Sequence, residues 1–557
     1  MAQLNILIGG DSFKKIREEQ RFYVDKTSFI EEFFAHGHPE VSLITRPRRF
    51  GKTLMLTMLR EFFDVNANEH DLFAGLAIAK NKQLCAEWLH QYPTLFFSLK
   101  NIEGPDYAAA LEQFTFLIRS LLIDFEYLLT SPNVSATDRA FLNQLNVGER
   151  NISLLQNFVL ILCRALAAHH GKPAILLIDE YDVPINCAEQ NGFYKEMIGF
   201  MRNMLGAALK TNPWLKFAVI SGCLRIARES IFTGLNNFKC FGISDSRFAD
   251  KFGFTMGEVD NLLCCAGMLE KKENIIEWYD GYRFGRGTEI YCPWDVLQYV
   301  DDLMSDPRTQ PQAYWKNTSS NAIVRTLVEQ SGLETRRKIE DLISGKSIEE
   351  RLEEDITYDI LYKKDRSLWT LMYLTGYLTK AAHKPNNGKT ALVIPNKEVR
   401  EIFIDKVSLW FEDSLDKYAL KPFIAALWRG DAHTVQKMLT EALYGTISFY
   451  DSVESFYHGF LVGLMRGADA DIKSNRENGL GRTEITMEDG LNKRVVIIEV
   501  KRSTTYNALE TMADVALAQI EEKKYATELP PNITHVLKYG IAFWKKECAV
   551  KVLESGR

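Results

Sequence analysis

The sequence predicts an α/β protein, and three observations lead there. Short apolar runs of strand length recur at 41–47 (VSLITRP), 94–99 (TLFFSL), 173–180 (PAILLIDE) and 216–222 (KFAVISG). Between them lie stretches with apolar residues at helical spacing, such as 22–34 (FYVDKTSFIEEFF) and 52–64 (KTLMLTMLREFFD). Near the C-terminus the alternation returns as a strand pair (GRTEITMEDGLNKRVVIIEVK), a helix (NALETMADVALAQIEEKKYA) and a last strand (KYGIAFWKK). Strands that alternate with helices imply parallel crossover units with the sheet covered on both faces.

Organisation follows from length and texture. At roughly 100–200 residues per domain, 557 residues suggest three or four domains. The first α/β region spans 1–290. Residues 291–400 are helix-rich and charged in places, and SLWTLMYLTGYLT, TALVIPN and NKEVREIF read as helix, strand, helix, an order compatible with a winged-helix module. Residues 401–557 return to α/β and open on a helical stretch, ESFYHGFLVGLM.

Composition excludes several classes. With 46% hydrophobic residues the chain is not disordered. No apolar run reaches the ~18 residues of a membrane span, and the N-terminus has the wrong flanks for a signal peptide. A cytoplasmic protein with no membrane association is expected. The nine cysteines are odd in number, scattered and never spaced CxxC, which argues for buried reduced thiols. A net charge of −6 excludes a general nucleic-acid binder, so any such contact comes from a local basic patch.

The sharpest motif of the first region is ITRPRRFGKTL, 44–54. A phosphate-binding loop reads GxxxxGK[ST]: backbone N–H groups close around phosphates, the lysine reaches the β/γ-phosphates and the hydroxyl meets Mg²⁺. Gly51, Lys52 and Thr53 fit, after a strand and opening a helix, but Arg46 stands where the leading glycine is expected. Arg46, Arg48, Arg49 and Lys52 put four cations into seven residues, and Phe50 and Leu54 complete the predicted nucleotide contacts. The competing reading is a solvated basic turn. ILLIDEYD, 175–182, supplies the second half: Asp179 would hold Mg²⁺ through water and Glu180 would act as base on the attacking water. Ser221, closing the strand FAVISG, suits a γ-phosphate sensor. Arg225 and Arg228 are either nucleotide contacts or surface charges.

A second acidic constellation lies near the end. Phosphodiester cleavage needs one or two divalent ions, an activated water and a cation near the developing charge. In VVIIEVK, 495–501, strand alternation puts Glu499 and Lys501 on one face. A tight hairpin (MEDGLN) brings Glu484, from GRTEI, beside Glu499, and Glu454 on the preceding helix is a further metal-ligand candidate.

Taken in order, YVDKTSFIEEFF, ITRPRRFGKTL, LLIDEYD, SGCLRIARESIFTGLNNF, FGFTMGEV, WYDGYRFG, IYCPWDVL, YWKNTSSN and LWTLMYLTGYLT resemble a bacterial AAA-ATPase-like family whose members end in a PD-(D/E)XK nuclease-like domain. The likeness covers nearly the whole chain. It implies an ASCE/AAA-like P-loop sheet in front, a helical middle and a PD-(D/E)XK fold behind, and the family's loop commonly has the RPRRFGKT form. It also implies that Gln519 and Lys523, one helical turn apart, occupy the polar positions nuclease relatives place on a helix. Glu484 stands where the family usually has Asp. The extra methylene shifts the carboxylate by about 1.5 Å, and Mg²⁺ demands strict geometry.

Other features have plain structural readings. Trp278, Tyr279, Tyr282, Phe284 and Trp294 form either a base-stacking platform or, the reading preferred here, a hydrophobic hinge. His458 is expected to pack on its helix, and Asn236 and Asn237 to serve as turn or cap residues. The functional expectation is an ATP-binding and hydrolysing protein with Mg²⁺, coupled to a metal-dependent nuclease (Mg²⁺ or Mn²⁺) acting on nucleic acid, DNA ahead of RNA. The alternative is a nucleotide-gated binding or signalling module that recognises nucleic acid or protein without cutting. A homo-oligomer stays open.

Overall fold

Four of the apolar runs form parallel strands of one sheet in the computed structural model: β1 (Val41–Thr45), β2 (Thr94–Ser98), β3 (Ala174–Asp179) and β4 (Leu215–Gly222). A fifth, β5 (Phe238–Phe241), joins the edge, and the order is β2-β3-β4-β1-β5 with every pairing parallel. Every residue of β1, β3 and the last six of β4 is buried, as a parallel sheet requires of its central strands. The structure describes residues 4–35, 37–67, 71–224, 237–315, 333–353, 365–383, 385, 388–404, 417–446, 454–465, 471–478, 481–490, 492–523, 529 and 533–556.

The chain divides into two compact units, one formed by Met1–Ser319 with Glu349–Glu398 and one by Ser320–Ile348 with Val399–Arg557. Residues 291–319 and 349–398, read above as part of a separate middle region, therefore fall in the same unit as the five-stranded sheet. That unit also holds helix Asp365–Thr375 and a short antiparallel pair, Thr379–Lys380 with Thr390–Val393.

Three elements of the first unit carry the chemistry that follows. Helix α1 (Lys52–Phe63) leaves the loop after β1 and packs on β2, β3 and β4. Helix α2 (Val183–Asn191) follows β3, with Pro184 in its first turn, where a missing N–H is harmless. Helix α3 (Pro293–Ser305) buries Val296, Tyr299, Val300 and Leu303 against Trp278 and Tyr279. The helix expected over 22–34 is shorter, Ser28–Ala35. Asp25 explains the difference: its carboxylate accepts from Thr27 N at 2.9 Å, Thr27 Oγ1 at 2.6 Å and Ala77 N at 2.7 Å, which holds residues 22–27 outside the helix.

The second unit is built on a mixed sheet in sequence order: β6 (Asp471–Asn478), β7 (Gly481–Asp489), β8 (Arg494–Arg502), β9 (His535–Trp544) and β10 (Glu547–Gly556). β8 and β9 are parallel and the other pairs antiparallel. Helix α4 (Glu454–Met465) precedes the sheet, and helix α5 (Leu509–Glu522) makes the crossover from β8 to β9. β6 and β10 were not anticipated. DIKSNREN lacks apolar alternation, and β10 follows a two-residue turn in which Lys545 itself takes a left-handed φ of 54°.

Among the described residues no helix is long and apolar enough to cross a membrane, and none of the nine cysteines is in a disulfide. Gly540 on β9 sits under α5, where a Cβ would meet the Ala513 carbonyl oxygen and lie 2.6 Å from Leu517 N. Because backbone cannot yield cheaply, Gly540→Ala is expected to destabilise the fold by about 1–3 kcal/mol. A shift in the denaturant midpoint of the unfolding transition checks this, and an unchanged midpoint contradicts it.

Candidate functional site

The loop between β1 and α1 is shaped by two left-handed residues, Arg49 (φ 70°) and Gly51 (φ 82°). Gly51 is the N-cap of α1 and offers no side chain to its first-turn N–H groups, which stay directed at the loop. Such groups, with the positive end of a 12-residue helix, favour an anion. Lys52 is buried and arches back over the loop. Its Nζ donates to the carbonyls of Arg46 (3.0 Å) and Pro47 (2.9 Å) and approaches Cys223 Sγ at 3.5 Å.

Asp179, at the end of β3 and fully buried, gathers hydroxyls from three elements. Thr53 Oγ1 on α1 donates to it at 2.7 Å, Ser221 Oγ on β4 at 2.5 Å and Ser98 Oγ on β2 at 3.4 Å. This is possible because β4 lies between β1 and β3. A hydroxyl and a carboxylate this close are the donor pair that a hydrated Mg²⁺ between loop and strand calls for, so Thr53 and Asp179 fit that ion. Glu180 follows in a left-handed conformation (φ 52°), its N–H 3.5 Å from Ser221 Oγ. Burial, then the neighbouring Asp179, raises its carboxyl above the ordinary glutamate range, with Lys52 opposing.

Sequence reasoning missed the next two residues. Tyr181 Oη donates to the Leu224 carbonyl at 2.8 Å, and Asp182 Oδ2 accepts from the N–H groups of Cys223 and Leu224, each at 3.0 Å. Together they clamp the chain leaving β4. Ser98 was missed as well, although it closes an apolar run as Ser221 does. Arg225, Arg228 and Asn236 lie outside the described residues. Asn237 makes a long-range tether rather than the local turn or cap bond expected, donating through Nδ2 to the Leu209 carbonyl at 3.2 Å.

Arg46 does not serve the loop as a phosphate contact. Its side chain is fully buried beneath the loop, donating to the carbonyls of Thr45 (2.8 Å), Phe241 (2.9 Å) and Phe248 (3.0 Å). The guanidinium also lies over the rings of Phe252 and Phe284. Burial pushes its pKa down to about 10. The residue in the missing glycine's place is a structural post. Phe50 is buried too, packed on Tyr282 and Phe284 with ring centroids 5.1 and 5.3 Å away. Trp278, Tyr279, Tyr282 and Phe284 are therefore core, and of the aromatic stretch Trp294 alone lines a cavity.

That cavity, of about 490 Å³, adjoins the loop. Arg48, Arg49, Phe50, Gly51, Lys52, Thr53 and Leu54 line one side, with Glu180, Asp182 and Cys223. Residues of the N-terminal arm, 6–26, line another side, and no sequence signal pointed to them.

In the second unit β8 carries Glu499, only 1% exposed, with Oε1 accepting from Lys501 Nζ at 3.0 Å and from Gln519 Nε2 at 2.5 Å. Strand alternation and the crossover helix α5 thus bring Glu499, Lys501 and Gln519 together. Lys523 caps the C-terminal end of α5, one turn beyond Gln519. The β7–β8 register pairs Ile485 with Ile498, the residues that adjoin Glu484 and Glu499 in sequence. The side chains of Glu484 and Glu454 lie outside the described residues. Among the described residues no group of three or more His, Cys, Asp or Glu is disposed to hold a metal ion, and Glu499 is the expected nuclease-site ligand whose side chain is described. His458 is buried on α4, in keeping with a packing role.

Residues 7–232 match the family described as Predicted AAA-ATPase, and residues 452–552 match the PD-(D/E)XK nuclease superfamily. A protein of Azotobacter chroococcum mcd 1, described as an uncharacterized protein in the vnfD 5' region, is 25% identical over 564 residues, covering 98% of this chain and 97% of that one.

The burial of Arg46 gives a testable separation of structure from ligand binding. Arg46→Ala strands three carbonyls and is expected to lower folding stability by about 3–5 kcal/mol. Lys52→Ala, whose ammonium bonds two loop carbonyls and approaches Cys223 Sγ, is expected to lower it far less. Thermal melts of both variants beside the wild type read the difference, and equal melting temperatures would refute it.

Proposed function

We propose, for a chain that carries an AAA-ATPase-like domain followed by a PD-(D/E)XK nuclease superfamily domain, that it hydrolyses ATP and couples the hydrolysis to a metal-dependent nuclease acting on DNA. The observation that supports the ATPase half best is the cluster in which Thr53 and Ser221 both bond Asp179 while Lys52 spans the loop. In that reading the first-turn N–H groups of α1 and Lys52 bind the β/γ-phosphates. Thr53 and Asp179 hold Mg²⁺, which when bound neutralises charge on the phosphate oxygens. Glu180 takes a proton from a water molecule, the water oxygen bonds the γ-phosphorus, and the bond from that phosphorus to its bridging oxygen breaks to release ADP. Asp182 and Tyr181 keep the chain after Ser221 in register with this site.

For the second unit, Glu499 supplies a carboxylate, Glu484 a second and Glu454 a third candidate, and Lys501 a cation for charge developing on a cleaved phosphodiester. The non-cleaving alternative is favoured by one observation: a longer glutamate at 484 in place of the usual aspartate. Free, scattered cysteines support a reducing, cytoplasmic setting.

The coupled reading is tested with the full chain on plasmid and single-stranded DNA, with Mg²⁺ or Mn²⁺, with and without ATP. Cleavage by wild type, its loss in Glu499→Ala with ATP turnover kept, and loss of turnover in Lys52→Ala are the expected results. Intact DNA under every condition, with DNA binding retained, selects the non-cleaving module. For the ATPase, Glu180→Gln is expected to slow turnover roughly 10²–10⁴-fold while leaving ATP bound. Since the base must be ionised and its carboxyl is shifted upward in the free protein, kcat/KM for ATP should fall with acidification from a higher pH than an ordinary glutamate would give. A pH profile of kcat/KM in which the acid limb lies in the ordinary glutamate range would contradict this.

A further inference from the structure

We propose that Tyr506, buttressed by Trp544 and with the Lys545 ammonium beside them, is a stacking platform that receives an unpaired base of single-stranded DNA near the Glu499–Lys501 centre. The inference rests on the reading of the second unit as acting on DNA, and it names the form of DNA that the unit prefers.

Strand alternation puts the rings and the acidic centre on one face of the sheet. The β8–β9 register pairs Glu499 with Gly540 and Lys501 with Ala542, so Trp544, two residues on, shares their side. Three contacts identify that side as the one α5 covers. Gln519 on α5 bonds Glu499, a Cβ on Gly540 would meet the Ala513 carbonyl oxygen, and Trp544 packs on the cluster of Leu509 and Ala513. Trp544 lies four residues beyond the strand partner of Glu499, about 13 Å at the ordinary rise. Lys501 stands between those two levels. A single bound strand of nucleic acid is long enough to engage the acidic centre and the rings together.

The tyrosine ring is presented rather than packed. Tyr506 is 57% exposed and opens the single turn, Tyr506–Ala508, that leads into α5. The chain before it is tied down: Ser503 N donates to the Phe543 carbonyl at 2.8 Å, and Ser503 Oγ donates to the Thr505 carbonyl at 2.7 Å. Trp544 braces the ring edge-on, with centroids 5.8 Å apart and planes at 68°. The Lys545 ammonium lies 4.8 Å from the centre of the Trp544 ring, and the Lys545 carbonyl accepts from Tyr457 Oη at 2.9 Å, which holds this turn to α4. At the start of α5, Glu510 and Asp514 are held to Lys551 at 3.4 and 2.8 Å, which offsets their charge. An exposed ring with an ammonium close by matches the two parts of one nucleotide, a flat base and an anionic phosphate. In a duplex the faces of the bases are already stacked on their neighbours. An unpaired base is free to occupy the ring.

Fluorescence anisotropy of the full chain with a labelled single-stranded oligodeoxynucleotide, and with the duplex of the same sequence, tests this, Ca²⁺ replacing Mg²⁺ so that binding is read without cleavage. Wild type is expected to bind the single strand more tightly than the duplex. Tyr506→Ala should weaken single-strand binding roughly fivefold to a hundredfold while changing duplex binding by no more than about twofold. Tyr506→Phe keeps the ring and should restore the affinity that alanine loses. Lys545→Gln should reduce the slope of log affinity against log salt for the single strand by about 0.7. Equal affinity for the two forms in wild type, unchanged single-strand affinity in Tyr506→Ala, or equal weakening of both forms overturns the platform while leaving DNA binding intact. Tyr506-dependent preference for the single strand in a chain that cuts no DNA supports the platform and removes only the cleavage. Failure of wild type to bind either form overturns the DNA reading and this inference with it.

Discussion

The first unit is organised around one buried carboxylate. Asp179 sits in a fully enclosed position where an ionised oxygen is costly unless hydrogen-bonded. Thr53, Ser221 and Ser98 supply those bonds from α1, β4 and β2, and in doing so fix the loop helix against the sheet. The strand order follows the same requirement: a hydroxyl from β4 reaches Asp179 because β4 separates β1 from β3. Move that carboxylate and Thr53 on α1, Ser221 on β4 and Ser98 on β2 lose the acceptor they share.

The second unit solves a related problem with opposite means. Glu499 is as deeply placed as Asp179, but a cation on its own strand and an amide from the crossover helix satisfy it in place of hydroxyls. A lysine beside a buried carboxylate offsets its charge, provided both are well hydrogen-bonded. Hydroxyls instead leave the Asp179 cluster negative and open to a cation.

What the sequence made legible was local. Strands β1 to β4, helix α1 and the Glu499–Lys501 face were readable because period, burial and motif coincide within a few residues. The hydroxyl at 221 was readable because a polar residue ended an apolar run. Arg46 was misread, since charge and spacing say nothing of which way a side chain turns, and carbonyls from Thr45, Phe241 and Phe248 decide it. The arm's contribution to the cavity and the grip of Tyr181 and Asp182 on residues 223–224 depend on contacts remote in sequence. β6 escaped notice because pairing with β7, rather than any pattern of its own, makes it a strand.

The twisted backbone at Glu180 has a thermodynamic corollary. A branched-free acid held at φ 52° opposes its intrinsic preference by about 1 kcal/mol, a penalty that glycine would escape. Drift toward robustness alone would favour glycine there. On the proposed reading of Glu180 as the base, tolerance to heat and turnover pull in opposite directions at this position.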